Sequence, residues 1–294
     1  MNKQVLMPEN PLLSELPLSE VNVTRWRNGV VSQATDKMAE EVPIALIYNG
    51  VSHAVMLATP QDLEDFALGF SLSEGILQSK SELYDVEIVM QPQGIELRLD
   101  VATEAFVKLK EKRRSLVGRT GCGLCGAESL EQALRLPMRL PIKTHGLTAN
   151  VPSSIDEASS PVVHASSIIK AFHAMQTQQV LQQATGATHA CAWVNADGNV
   201  QLLREDVGRH NAMDKLIGAL AKLPGQEDGF VLTSSRASVE MVQKVASARI
   251  IILAAISAPT GLAVRIAEDY GVTLVGFLRD NQFVVYTHSS RIKL

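Results

Sequence analysis

The C-terminal part of the chain alternates short β-branched segments with helical segments, and this alternation constrains the fold more than any other feature. Strands are predicted at 188–194, 200–203, 229–233, 250–254, 272–277 and 283–287, and helices at 162–183, 209–220, 237–246 and 261–269. Such alternation is typical of an α/β layer with parallel strand pairing. Ligands of these sheets bind beyond the carboxyl ends of the strands. The sequence therefore predicts an α/β core with a binding site in the loops after its strands.

The N-terminal part of the chain predicts a smaller α+β module. Asn49-Gly50 between two apolar runs predicts a hairpin, and a second hairpin is expected at 86–99. Thr59-Pro60 is expected to begin a helix that ends near Gly75. The predicted organisation is a flexible arm at 1–20, the α+β module at 21–117, a cysteine loop with a short helix at 118–136, a connection at 137–160 and the α/β core at 161–294.

Charge and composition exclude several classes of protein. A net charge of −4 argues against a surface that grips nucleic acid. The longest apolar run, 250–256, is too short to cross a membrane, so no membrane partner is expected. Three cysteines in 294 residues do not form a disulfide framework, which favours a reducing, cytoplasmic location.

Two of the three cysteines, Cys122 and Cys125, form a Cys-x-x-Cys pair among glycines at 119–126. Structural zinc would need four ligands, and a second such pair is missing. A zinc nucleobase deaminase would need an H-x-E motif, which the sequence lacks. A thioredoxin-like pair is chemically feasible, but a basic helix precedes it instead of the expected strand. A nucleophilic thiolate that accepts and passes on a group is favoured over these, and over a merely structural turn.

Polar loops follow the strands of the predicted core. They read 206–210 (DVGRH), 233–236 (TSSR), 257–260 (SAPT) and 279–282 (RDNQ). Singly, residues such as Asp206 or Thr260 are expected to be helix caps. Together, Arg209, Arg236 and Arg279 beside hydroxyls and helix N-termini predict an anionic, phosphate-bearing ligand, with His210 as the best-placed titratable side chain. Ordinary dinucleotide and ATP motifs are absent from the sequence.

A basic helix is predicted at 103–116, directly before the cysteine loop. Its cations are Lys108, Lys110, Lys112, Arg113 and Arg114. Such a run forms either a solvated helix face or a docking surface for an anionic ligand or an acidic partner protein.

The sequence resembles the formate dehydrogenase accessory sulfurtransferases, the FdhD family, from about residue 20 to 290. The matching stretches are EVPIALIYNG (41–50), DLEDFALGFSLSEGIL (62–77), GRTGCGLCG (118–126), EDVGRHNAMDK (205–215), SSRASVEMVQK (234–244), LVGF (274–277) and VYTH (285–288). The resemblance implies a homodimer with a cytidine-deaminase-like α/β/α core that lacks the zinc chemistry of those enzymes.

The resemblance also implies a function. An IscS-like cysteine desulfurase would load sulfur onto Cys122 as a persulfide, with Cys125 as its partner thiol. The sulfur would pass to the molybdenum or tungsten of bis-molybdopterin guanine dinucleotide, the acceptor, before this cofactor enters formate dehydrogenase.

The family's cofactor-binding loop corresponds to a stretch in which Arg279 keeps a cation while Asp280 and Gln282 depart from the family pattern. The residues of this stretch are Phe277, Leu278, Arg279, Asp280, Asn281 and Gln282. We expect Arg209 and Arg236 to meet phosphate oxygens, and Asp206 or His210 to meet a base or ribose. Two alternatives remain open at this point, a cofactor-binding chaperone without sulfur transfer and a Cys-x-x-Cys disulfide oxidoreductase.

Overall fold

The computed structural model describes residues 16–114, 162–225 and 228–294, and within them the protein is mixed α/β. The strands are β1 Leu18–Arg27, β2 Val30–Ala39, β3 Val42–Tyr48, β4 Val51–Ala58, β5 Leu83–Gln91, β6 Gly94–Val101, β7 Val163–His164, β8 His189–Asn195, β9 Val200–Asp206, β10 Gly229–Thr233, β11 Ile252–Ala255, β12 Thr273–Arg279, β13 Gln282–Val285 and β14 Ile292–Lys293. The helices are α1 Leu63–Ser73, α2 Thr103–Arg114, α3 Ala165–Gln178, α4 Val180–Thr185, α5 Arg209–Ala221, α6 Val239–Ser247 and α7 Gly261–Tyr270.

The N-terminal module is a four-stranded sheet in the order β4-β3-β6-β5, and α1 and α2 pack on one of its faces. Both predicted hairpins are present: β3 pairs with β4, and β5 with β6, each antiparallel. Alternate residues of β3 are fully buried, namely Ile44, Leu46 and Tyr48, because successive side chains of a strand point to opposite faces. They form one apolar cluster with Phe66 and neighbouring side chains of α1 and with two side chains of α2.

A two-stranded ribbon, β1 and β2, precedes this sheet. Its strands pair antiparallel over their whole length, and most of their residues are exposed. The turn is Asn28-Gly29, with φ of 52° and 85°, the left-handed conformation that tight hairpin turns require. The ribbon was not predicted, and β1 already begins at Leu18, within the segment expected to be a flexible arm.

The C-terminal core is a six-stranded sheet in the order β13-β12-β11-β10-β8-β9. The predicted parallel pairing is found for β10 with β11 and for β11 with β12. The flanking strands β8, β9 and β13 pair antiparallel, which the alternation alone did not indicate.

Helices cover both faces of this sheet. Cys191, Trp193 and Val231 face α5, α6 and α7 in one apolar cluster. The alternate residues, among them Ala192 and Leu232, face α3 in a second cluster. The core is therefore three layers deep, with apolar side chains on both sides of its strands.

The two sheets are joined where α1 crosses α5 through two glycines. A Cβ atom on Gly69 would overlap the backbone carbonyl of Asp214, and one on Gly218 would overlap the carbonyl of Asp65. Ionic contacts surround the crossing: Nζ of Lys244 lies 2.8 Å from Oδ1 of Asp214, which also accepts a 2.6 Å hydrogen bond from Ser73. The close helix contact fixes the start of α5 relative to the N-terminal module.

Two element predictions were wrong in detail. Helix α1 begins at Leu63 and not at Thr59-Pro60, because Thr59 bonds to Asp206 and Val207 at the end of β9 instead of capping α1. The helix predicted at 162–183 is broken at Gln179, where the carboxylate of Glu205 accepts hydrogen bonds from the N–H groups of Leu181 and Gln182 and so starts a second helix. In the described ranges, no helix is long and apolar enough to cross a membrane.

Candidate functional site

The polar loops predicted from the sequence lie along one edge of the six-stranded sheet. Strand register places His189 opposite Asp206, and Cys191 opposite Thr233. Further along, the N–H of Ile256 donates to the carbonyl of Thr233 at 3.0 Å, and the N–H of Phe277 donates to the carbonyl of Ser257 at 3.3 Å. The ends of β9, β10, β11 and β12 and the start of β8 therefore form a continuous edge.

Asp206 does not take part in a ligand site, contrary to the sequence-based expectation. It is fully buried, and its carboxylate lies 2.7 Å from Nζ of Lys215, which is also fully buried. The same carboxylate accepts hydrogen bonds from the N–H groups of Thr59 and Gly208 and from the amide of Asn211. All of its acceptor capacity is used by the protein, so Asp206 holds the 206–210 loop in place.

Arg209 and His210 follow in the same loop, and their hydrogen bonding differs from that of Asp206. Among the described residues, Nε of Arg209 and Nε2 of His210 are buried without a hydrogen-bond partner. Buried polar groups are nearly always paired, because each unpaired one costs about 1–3 kcal/mol. Both residues lie in the first turn of α5, where the helix dipole favours negative charge, and this fits an anionic ligand.

The surroundings of His210 keep its ring neutral. Burial, followed by the positive charges of Arg209 and Lys244, lowers the pKa of His210 to about 4. Glu240 acts in the opposite direction, since its Oε2 lies 4.0 Å from Nε2 of His210. At neutral pH the ring is therefore an uncharged hydrogen-bonding group, while Arg209 carries the positive charge.

His189 was missed by the sequence analysis. It lies half-buried at the start of β8, and burial, followed by the charge of Arg209, lowers its pKa. No sequence motif marks His189 as a site residue. Its place follows from the antiparallel pairing of β8 with β9 and β10, which brings the start of β8 to this edge.

The remaining two arginines of the prediction lie further along the same edge. Arg236 is exposed, in the loop between β10 and α6. Arg279 is exposed at the end of β12, and its Nη1 donates to the carbonyl of Ile256 at 2.6 Å, so the guanidinium bridges two neighbouring strand ends. Both cations are accessible to a ligand along the edge.

The predicted cofactor loop borders an open recess of about 430 Å³. Its lining residues are Phe277, Arg279, Gln282, Phe283 and Val284. Phe277 is 44% exposed and has φ of 52°, which holds its ring at the surface of the sheet edge. An exposed aromatic ring beside a guanidinium is suited to stacking on a planar base.

The remaining residues of the predicted cofactor loop differ in their exposure. Leu278 is fully buried in the apolar cluster beneath α3, so its side chain is a core residue and cannot contact a ligand. Asp280 and Asn281 are exposed at the turn between β12 and β13.

The cysteine pair Cys122 and Cys125 lies outside the described residues, as do the predicted short helix and the connection at 137–160. Cys191 is fully buried, with Sγ 3.5 Å from Oγ1 of Thr233, and burial raises the pKa of its thiol to about 12. Cys191 is thus an inert core residue. In the part of the chain that the structure describes, no three His, Cys, Asp or Glu side chains are grouped as metal ligands.

The fold and this edge define an α/β protein with polar and basic loops at the strand ends of its larger sheet and with a second, smaller sheet. The sequence model of the FdhD/NarQ family matches residues 39–293, and the chain belongs to that family.

Relatives and a solved structure agree with this assignment. The chain is 55% identical to the sulfur carrier protein FdhD of Cupriavidus necator over 273 residues, which cover 92% of this chain and 88% of that protein. It is 48% identical to the sulfur carrier protein FdhD of Bordetella petrii, over 97% of this chain and 98% of that one. The crystal structure of a candidate formate dehydrogenase accessory protein from Desulfotalea psychrophila has the same fold, with a TM-score of 0.70 at 23% identity over 94% of this chain and 99% of that chain.

Proposed function

We propose that this protein is a sulfur carrier for formate dehydrogenase maturation. It accepts sulfur from an IscS-like cysteine desulfurase as a persulfide on Cys122 and passes it to bis-molybdopterin guanine dinucleotide before that cofactor enters formate dehydrogenase. Two relatives named sulfur carrier protein FdhD are 55% and 48% identical over most of the chain, and this supports the role. The finer expectations, a homodimer in the cytoplasm with a cytidine-deaminase-like core, belong to the same proposal.

The chemistry of loading is a thiol–persulfide exchange. The Cys122 thiolate attacks the terminal sulfur of the donor's persulfide, a new S–S bond forms on Cys122, and the donor leaves as a thiolate. Electrons balance without a further reactant, because one S–S bond replaces another.

Delivery of the sulfur as sulfide needs two electrons, and the Cys122 and Cys125 pair can supply them. Attack of the Cys125 thiolate on the inner sulfur of the persulfide closes a disulfide between the two cysteines and releases sulfide towards the metal. A cellular dithiol reductant must then reopen the pair. Cys125 is therefore assigned to release, and Cys122 to loading.

The observation that carries the acceptor side is the pair of unpartnered buried atoms, Nε of Arg209 and Nε2 of His210. They fit the phosphate-bearing end of a guanine dinucleotide, and Arg236 and Arg279 continue the positive edge. From β9 to β12 the edge spans four inter-strand steps, or about 19 Å, a length suited to an extended dinucleotide. When bound, the metal of the acceptor supplies the site at which sulfide is taken up.

The proposal is tested in a bacterium whose own family member has been deleted. Formate dehydrogenase activity should return with the wild-type chain and stay absent with Cys122→Ala. Cys191→Ala is the matched control and should restore activity, because Cys191 is a buried core residue.

The alternatives give different patterns in the same assay. A cofactor-binding chaperone would tolerate loss of Cys122 and Cys125 together. A disulfide oxidoreductase would need both cysteines but would tolerate loss of Arg209. Full activity of Cys122→Ala would therefore contradict the sulfur-carrier proposal.

A further inference from the structure

Glu240 brings a negative charge to the cationic part of the sheet edge. It lies in the first turn of α6, and its Oε2 is 4.0 Å from Nε2 of His210 in the first turn of α5. The side chains of His210 and Glu240 are 33% and 29% exposed, so neither is sealed from solvent. A ligand bound at the start of α5 would therefore lie next to this carboxylate.

The carboxylate of Glu240 is charged at neutral pH. Burial alone would raise its pKa, but the Ser238 hydroxyl, the backbone N–H of Glu240 itself and the nearby His210 and Arg209 together lower it. A charged carboxylate repels phosphate oxygens. A site for phosphate alone would therefore be weakened by Glu240.

A stabilising role at the start of α6 explains only part of this arrangement. An acidic side chain in the first turn favours a helix by about 0.3–1 kcal/mol. However, Ser238, the N-cap residue of α6, makes no capping bond through its side chain. Among the described residues, its buried Oγ has no hydrogen-bond partner, and neither has Nε2 of His210. Two polar groups close to the Glu240 carboxylate thus keep unused hydrogen-bonding capacity.

The separation of His210 and Glu240 suits one bridging oxygen atom. At 4.0 Å the two atoms are too far apart for a direct hydrogen bond, but an oxygen can lie about 2.8 Å from both. A hydroxyl group fits this position, because it donates to the carboxylate and accepts from Nε2 in the tautomer that carries hydrogen there. A phosphate oxygen can only accept, and the carboxylate would repel it.

We infer that Glu240 binds the ribose hydroxyls of the guanine nucleotide and makes the site selective for a ribonucleotide over a bare phosphate. The inference rests on the proposed function, which supplies the nucleotide. Ribose is joined directly to the phosphate that Arg209 would hold, whereas the donor edge of guanine lies further away. Carboxylates bind ribose hydroxyls in dinucleotide-binding folds as well.

This assignment also replaces an expectation from the sequence. Asp206 was expected to contact a base or ribose, but its carboxylate is fully used inside the protein. Glu240 is the partly exposed carboxylate beside His210 and can take that part.

The test is equilibrium titration of the full chain with GDP, 2′,3′-dideoxy-GDP and inorganic pyrophosphate. We expect the wild type to bind GDP about tenfold more tightly than dideoxy-GDP, because hydrogen bonds to a charged group are strong. In Glu240→Gln this preference should fall to about threefold or less. Pyrophosphate should instead bind this variant about three to ten times more tightly than the wild type, because the repulsion is removed.

Glu268→Gln is the matched control. Glu268 also lies beside a histidine, with Oε2 3.9 Å from Nε2 of His288, but it is 61% exposed in the last turn of α7. Its affinities for the three ligands should stay within about twofold of wild type. A merely structural role of Glu240 would change all three affinities in the same direction, so opposite changes for GDP and pyrophosphate separate ligand binding from loss of folding.

Several results would overturn the ribose contact. These are equal binding of GDP and dideoxy-GDP by the wild type, tighter binding of both GDP and pyrophosphate by Glu240→Gln, and the same changes in the Glu268→Gln control. A preference of the wild type for GDP over IDP that is lost in Glu240→Gln would place the guanine base at Glu240 instead, and would also overturn it. If the wild type binds neither GDP nor pyrophosphate, the acceptor site of the proposed function is contradicted, and the ribose contact with it.

Discussion

Lys215 holds the 206–210 loop in place. Its ammonium is fully buried between the carboxylate of Asp206 and the carbonyl of Thr59, at 2.7 and 2.9 Å. The ion pair and the bond to Thr59 thereby join the end of β9, the middle of α5 and the N-terminal module. Removing one partner of a buried pair leaves the other charge without compensation, which is far more costly than losing an exposed pair.

We therefore predict that Lys215→Met lowers the free energy of unfolding by about 3–5 kcal/mol. The matched control is Lys222→Met, whose partner Asp65 is also 2.7 Å away but whose side chain is 36% exposed. The control should lose about 1 kcal/mol or less. Urea unfolding of both variants measures the difference, and similar losses would show that burial of the pair is not decisive.

The titration of His210 follows from its burial beside Arg209. Its pKa is lowered from 6.5 to about 4, so the unfolded chain binds more protons than the folded one between these values. Stability contributed by this residue is complete above about pH 6.5 and is lost as the pH falls towards 4.

An NMR titration of the His210 ring should therefore give a midpoint near 4 in the free protein. GDP should raise this midpoint, because a bound phosphate favours the charged ring. A midpoint near the ordinary value, unmoved by GDP, would remove His210 from the site.

Arg209 is expected to supply the main charge to the ligand phosphates. Arg209→Ala should weaken GDP binding about tenfold, since a hydrogen bond to a charged group is worth about 1.5–3 kcal/mol. Arg236→Ala should also weaken it, by a smaller factor, because Arg236 is exposed. Arg25→Ala, on the exposed ribbon, is the control for equilibrium titration of GDP. Unchanged affinity in both edge variants would place the nucleotide elsewhere.

The sequence motif predicted a polar loop after β9 but not the contacts of each residue in it. Asp206, Arg209 and His210 lie within five consecutive positions, yet the carboxylate of Asp206 is fully bonded inside the protein, while Nε of Arg209 and Nε2 of His210 have no hydrogen-bond partner. The deciding contacts come from two residues outside the motif. Thr59 is far away in the sequence, and Lys215 lies further along α5. Only tertiary structure could separate the two roles.

At the crossing of α1 and α5, the two helices leave no room for an added side chain. Both helices bring a glycine to the contact, so their backbones touch without side chains between them. Gly69→Ala should cost about 1–3 kcal/mol or more of stability, because a Cβ there meets the Asp214 backbone, which cannot yield as a side chain does.

Gly261→Ala provides the comparison for this prediction. Gly261 lies at the start of α7, where a Cβ would meet only the end of the Arg265 side chain, at 3.7 Å. It should therefore be close to neutral in thermal unfolding. Equal tolerance at Gly69 and Gly261 would contradict the close crossing.

The elements also show which sequence signals are reliable. Asn49-Gly50 predicted the hairpin of β3 and β4, and the same signal at Asn28-Gly29 marks the ribbon that was missed. The ribbon escaped because its strands are largely exposed and lack a buried alternating pattern. The helix start at Thr59-Pro60 was wrong for a different reason, since Thr59 satisfies the N–H of Val207 instead of its own helix.

In the whole molecule, the N-terminal module and the C-terminal core pack against each other and together hold the sheet edge in place. The bonds of Thr59 to the Asp206–Lys215 pair, the bonds of Ser73 to the Asp214–Lys244 pair and the glycine crossing all connect the two parts around α5. Arg209 and His210 lie in the first turn of that helix. The acceptor end of the site therefore depends on the packing of both parts.

Whether Cys122 carries sulfur can be measured by intact mass spectrometry of the full chain after incubation with a cysteine desulfurase and cysteine. We expect an added mass of one sulfur atom on the wild type, removed by a reducing thiol, and retained in Cys125→Ala and Cys191→Ala but absent from Cys122→Ala. An unmodified wild type, or an adduct of equal size on Cys122→Ala, would contradict it.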